Sequence, residues 1–122
     1  MSRKKILIVE DEESLLRLES ILLTSKGYEV KGVPNGQAAL DAIALQKPDL
    51  VLLDIMLPEI DGFEVCRRIK IAKETSHIPV IMLTAKKCQE DFSRGQEVGA
   101  DWYITKPFKS AMVIETIQRF LS

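Results

Sequence analysis

Five short apolar runs, each followed by a stretch whose apolar residues recur at helical spacing, constrain this chain more than any other feature. "KKILIV" (Lys4–Val9), "YEVKGV", "DLVLLD", "HIPVIMLT" and "DWYIT" read as strands. Each is followed by one of "EESLLRLESILLTSKG", "NGQAALDAIALQKP", "FEVCRRIKIAK", "KCQEDFSRGQEVG" and "SAMVIETIQRFL", which read as helices. Leu15, Leu18 and Leu22 share helical spacing in the first helix and Val65, Ile69 and Ala72 in the third, while Ile114, Ile117 and Leu121 face inward in the last. Gly27 and Gly99 stand where a helix ends on a left-handed residue. Strands that alternate with helices imply right-handed βαβ crossovers and a parallel sheet. The first, third and fourth strands are apolar almost throughout, so they are central, with both faces covered. The second is half polar and belongs nearer an edge. The expected class is α/β: one doubly wound (βα)5 domain over residues 1–122 with a five-stranded parallel sheet.

Composition narrows the function classes. Of the 122 residues, 46% are hydrophobic and 29% charged, which suits one globular core. The net charge is −1, with Lys and Arg scattered, so no basic footprint for nucleic acid or an anionic membrane is present. No apolar run approaches a membrane span. The opening "MSRKKILIVEDEE" turns acidic too soon for a signal peptide. Cys66 and Cys88 form no CxxC pair and read as free thiols of a reducing compartment. A cytoplasmic location is expected.

In a sheet of this kind ligands bind beyond the carboxyl ends of the strands. Glu10 and Asp11 stand there after the first strand, Asp54 after the third, Thr84 after the fourth and Lys106 after the fifth. Asp54 ends the most hydrophobic strand in the chain, and a carboxylate there needs a partner or a metal. At roughly 5 Å and an effective dielectric of about 20, each carboxylate pair repels by about 3 kcal/mol. One lysine does not cancel three acids. A hard divalent cation does, and an all-oxygen site with few protein ligands suits Mg²⁺. Capping of the first helix would explain Glu10 or Asp11 alone, but not the pair together with Asp54 and Lys106. Such an ion attracts phosphate, which places Asp54 for in-line attack on a phosphoryl group while Lys106 and Thr84 take its outer oxygens.

The strings "ILIVEDE", "DLVLLDIMLPEIDG", "VIMLTA" and "GADWYITKPF", in this order and each at a strand end, resemble those of a bacterial two-component response-regulator receiver domain. The resemblance covers essentially the whole chain. It implies the flavodoxin-like strand order 2-1-3-4-5 and a phosphorelay role, in which Asp54 accepts a phosphoryl group from a sensor histidine kinase or phosphotransfer protein. It further implies that Asp11, Asp54 and the Met56 carbonyl bind Mg²⁺, with Glu10 acting through water. Thr84 would be the switch hydroxyl, Tyr103 the switch aromatic, and the Lys106–Pro107 bond cis. Met56 and Lys86 occupy the positions that tune the lifetime of the phosphoryl group, and neither can act as a base, so slow self-hydrolysis is expected. The fourth helix, fifth strand and fifth helix would form the output face. Trp102 either packs as ordinary core under the fourth or fifth helix or, with Phe92, anchors a partner, and a phosphorylation-dependent homodimer is one candidate use of that face.

Rival readings lack their residues. A flavin carrier needs a phosphate cradle after the first strand, where this chain has four acids, Glu10–Glu13. An aspartate-nucleophile phosphatase of the haloacid-dehalogenase type would carry an acid at position 56, which is Met. Beyond its own phosphorylation and dephosphorylation the chain is not expected to be an enzyme. The output is either a protein contact or, in a receiver cut from a longer regulator, a DNA-binding domain.

Overall fold

The computed structural model describes residues 3–84, 89–105 and 109–121, with the backbone alone at 89–92 and 95. The strands are β1 (Lys5–Val9), β2 (Glu29–Val33), β3 (Leu50–Asp54), β4 (Val80–Thr84) and β5 (Trp102–Thr105). The helices are α1 (Glu13–Ser25), α2 (Gly36–Leu45), α3 (Gly62–Ile71), α4 (Gln89–Val98) and α5 (Ser110–Leu121). All strand pairs are parallel and the sheet order is β2-β1-β3-β4-β5, as the resemblance implies. The three apolar strands are central. Their residues alternate between two cores, one around Leu7, Val9, Leu53, Met82, Val65 and Ile69, the other around Ile6, Ile8, Leu52, Leu83, Val113 and Ile117. Burial of both faces explains why these strands lack the polar alternation of β2, where three of five residues are exposed.

Local chemistry sets the helix ends. Asn35 Oδ1 accepts the Ala38 N–H at 2.8 Å and Asp61 Oδ1 the Glu64 N–H at 2.9 Å, so each caps its helix. Gly27 and Gly99 take φ of +94° and +86°, as expected for residues that follow helices. The inward face of α1 departs from expectation. Leu18 is exposed, while Glu19 and Leu23 are buried. Leucines repeat around so much of this helix that spacing alone does not pick the packed stripe, and packing turns the 19/23 face inward. In α5, Ile117 is buried and Ile114 and Leu121 are partly buried, as expected.

Two aspartates pin the amino ends of the strands. Asp49 Oδ2 accepts the Lys5 N–H at 2.7 Å, tying the start of β1 to β3. Asp101 Oδ2 accepts the Val80 N–H at 2.8 Å, doing the same for β4 and β5. Lys70 closes the second pin: its Nζ lies 2.7 Å from Asp101 Oδ2 and donates to the Ile78 carbonyl at 2.6 Å. Cys66 is fully buried on α3 and its thiol donates to the Val98 carbonyl at 3.7 Å. Burial pushes this thiol up to about 12. Above the ordinary value of 9.0 the unfolded chain ionises first, so Cys66 subtracts stability as pH rises from there toward about 12. Below 9.0 it stays a neutral, unreactive thiol. Iodoacetamide is therefore expected to label Cys66 about a hundredfold more slowly in the folded than in the unfolded protein, read by peptide mapping. Equal rates would contradict this packing. Cys88 lies outside the described residues.

Candidate functional site

The sheet register brings the acids together. Val9 pairs with Leu53, so the next residues, Glu10 and Asp54, leave the sheet abreast of each other. Glu10 is 2% exposed and Asp54 4%, while Asp11 is open to solvent. One carboxylate oxygen from each of Glu10, Asp11 and Asp54 lies within 4.8 Å of the other two. Neither Glu10 nor Asp11 is itself the N-cap of α1. The N-cap of α1 is Glu12, whose side chain makes no capping bond, and Glu10 Oε2 instead accepts the Glu12 N–H at 3.2 Å. Asp54 Oδ1 accepts the Met56 N–H at 3.2 Å, which orients the carboxylate at the mouth of its strand.

Three oxygens from three carboxylates, two of them nearly buried, form a hard donor set with the spacing that one divalent cation bridges. The donor chemistry therefore fits Mg²⁺. Thr84 is buried at the end of β4, beside the Asp54–Leu83 pair. Tyr103, on β5 opposite Met82, is half-buried against the first core. Met56 is 72% exposed. Trp102 sits on the opposite face of β5 from Tyr103, edge-on to Phe120 of α5 with ring centroids 6.4 Å apart. It is neither core nor free: 47% of it is exposed. Lys106, Lys86 and the Lys106–Pro107 bond lie outside the described residues, as does the side chain of Phe92.

The loop between Asp54 and α3 holds residues that the apolar spacing of the sequence does not single out. Ile55 O accepts the N–H groups of both Leu57 and Gly62 at 3.0 Å, folding residues 55–62 back onto the strand end. Glu59 takes a φ of +63° in that loop. At Gly62 a Cβ would overlap the Asp54 carbonyl oxygen and lie 2.7 Å from Ile55 Cα. No pattern of apolar spacing reveals this contact, because it is made by backbone. The "DG" pair was its one visible trace.

A parallel sheet of order 2-1-3-4-5 with an acidic cluster at its carboxyl rim defines a class of signalling domain. Residues 6–118 match the response regulator receiver domain family, and the chain belongs to that family. It is 42% identical over 118 residues to the alkaline phosphatase synthesis transcriptional regulatory protein PhoP of Bacillus subtilis, a match that takes in 97% of this chain and 48% of that protein. The chain thus spans about half the length of the curated relatives it matches. A response regulator from Chloroflexus aurantiacus superposes with a TM-score of 0.93 at 32% identity over 98% of both chains. The receiver domain of a Pseudomonas aeruginosa sensor histidine kinase superposes at 0.90, with 32% identity over 98% of both chains, and holds a magnesium ion in its active site cleft. The chain is a receiver domain of the two-component type, and its acidic cluster fits the magnesium site of such domains. No described helix is long and apolar enough to cross a membrane.

Proposed function

We propose that this domain relays a signal by accepting a phosphoryl group on Asp54 from the phosphohistidine of a cytoplasmic kinase or phosphotransfer protein. The observation that carries the reading is the convergence of Glu10, Asp11 and Asp54 oxygens within 4.8 Å at the end of β3. Glu10, Asp11, Asp54 and the Met56 carbonyl would hold Mg²⁺, which when bound neutralises charge on the incoming phosphoryl oxygens. An Asp54 carboxylate oxygen attacks phosphorus, the P–N bond breaks, and the donor imidazole leaves with the bonding pair. The Met56 N–H holds Asp54 in the orientation from which this attack starts. Thr84 and Lys106 take the outer oxygens, and Tyr103 follows Thr84 to alter the face formed by α4, β5 and α5, where Trp102 and Phe92 meet a partner or a second copy.

The test is direct. With Mg²⁺ and acetyl phosphate the protein should gain one phosphoryl group by mass spectrometry, mapped to the peptide containing Asp54. No uptake, or uptake elsewhere, would overturn the reading. Self-hydrolysis should be slow, since the Met56 side chain is apolar and offers a water no base. Met56→Asn is expected to shorten the phosphorylated lifetime about tenfold, and an unchanged decay rate would remove Met56 from that role. A second reading has its own observation: the match to about half of a transcriptional regulator supports a receiver that governs a DNA-binding partner domain. Reading the coding sequence beyond codon 122 tests it.

A further inference from the structure

Residues 61–63 lie between the acceptor and α4 and touch both. Asp61 caps α3 through Oδ1, and its other oxygen, Oδ2, lies 3.7 Å from a guanidinium nitrogen of Arg94 on α4. Phe63 is buried in the first core, and the guanidinium carbon of Arg94 stands 4.7 Å over its ring centroid. Gly62, between these two, packs so near Asp54 that a Cβ would overlap its carbonyl oxygen, and its N–H donates to Ile55 O. Arg94 therefore grips the residues on either side of the one that seats the acceptor. The same guanidinium thus makes a long, partly exposed ion pair to Asp61 and a cation–π contact to the buried Phe63 ring.

We propose that Arg94 is a positioning residue for phosphoryl transfer: by holding Asp61 and Phe63 it keeps Gly62 against the Asp54 backbone and couples α4 to the acceptor. The inference rests on the proposed role of Asp54. It gives α4 a mechanical link to the site through the β3–α3 loop, separate from the link through Thr84 and Tyr103. Because coupling is reciprocal, whatever displaces α4 changes how well the acids hold an ion, and an ion at the acids changes the freedom of α4. Arg94 is 59% exposed along its side chain, which sets the competing account: a solvated charge with no influence on the site.

The experiment compares Arg94→Ala, Arg94→Lys, Asp61→Asn and the Arg94→Ala/Asp61→Asn double variant. Asn keeps an oxygen for the α3 cap but loses the charge that faces Arg94. Three quantities are read: the rate of phosphoryl uptake from acetyl phosphate at saturating Mg²⁺, the Mg²⁺ dissociation constant by calorimetry, and amide exchange at residues 62–65. Arg94→Ala is expected to slow uptake and weaken Mg²⁺ binding about fivefold each, and to speed exchange by a similar factor. Asp61→Asn should act in the same direction, the double variant should be no worse than the poorer single, and Arg94→Lys should restore at least half of the loss. Multiplying single effects, or an alanine variant unchanged in all three quantities, would overturn the proposal. If the unsubstituted protein takes up no phosphoryl group and binds no Mg²⁺, the role of Asp54 fails instead. Exchange at 62–65 then still decides whether Arg94 holds the loop.

Discussion

Asp54→Asn is expected to melt at a higher temperature than the unsubstituted protein without metal, and to take up no phosphoryl group. The stabilisation follows from crowding. At separations within 4.8 Å and an effective dielectric of about 20, each carboxylate pair among Glu10, Asp11 and Asp54 repels by about 3 kcal/mol. Neutralising Asp54 removes two of the three pairs. Solvent at exposed Asp11 screens part of this, so the net gain should be about 1–3 kcal/mol, or roughly 4–10 °C for a domain of this size. Mg²⁺ should raise the melting temperature of the unsubstituted protein by mass action and leave that of the variant almost unmoved. Thermal melts with chelator and with Mg²⁺, beside mass spectrometry after acetyl phosphate, measure both halves. An unchanged metal-free melting point would refute the repulsion account, and phosphoryl uptake by the variant would refute the acceptor.

The second large effect is steric. Gly62→Ala adds a methyl where the Asp54 carbonyl oxygen and Ile55 Cα already stand, both of them backbone atoms that do not swing aside. Alanine is the better helix former by about 1 kcal/mol, yet the overlap should win and destabilise the fold by about 3 kcal/mol. The acceptor would be displaced with the backbone, slowing phosphorylation about tenfold or more. Two other glycines calibrate the result. At Gly36 the added methyl would meet Val65 Cγ2 at 2.7 Å and the Ile60 carbonyl at 2.9 Å, a clash shared with a side chain that can yield. At Gly27 it meets nothing within 4 Å, and only the φ of +94° opposes it, at a cost of about 1 kcal/mol. Denaturant melts should therefore rank the losses 62, then 36, then 27, and a variant at 62 as stable as that at 27 would contradict the close packing.

The sheet was legible in the sequence because burial of both faces writes itself as unbroken apolar runs, which set β1, β3 and β4 at the centre before any coordinates. The acids were legible for a related reason. A polar residue directly after such a run leaves the sheet at its rim, so Glu10, Asp11, Asp54 and Thr84 could be placed from strand ends alone. The buried side of α1 could not, since a helix with leucines at 15, 16, 18, 22 and 23 offers more than one apolar stripe. Glu19, polar and yet buried, would be assigned to solvent by any rule of spacing. Arg94 was hidden differently. In a helix of low hydrophobicity it reads as one more solvated charge, and its partners Asp61 and Phe63 lie some thirty residues earlier in the chain.

The pins at Asp49 and Asp101 bear on how a chemical event at the far rim can be felt. Each bonds a side chain to the first amide of the neighbouring strand, and Lys70 locks one of them to α3. A strand that slipped by one residue would break these bonds and send each side chain to the core on the other face of the sheet, where it does not fit. The platform thus has no sliding mode in which to dissipate a new charge at Asp54. If Asp54 is phosphorylated as proposed, the rearrangement is expected in the connecting segments and helix ends above the sheet, the parts of the molecule that another protein can touch.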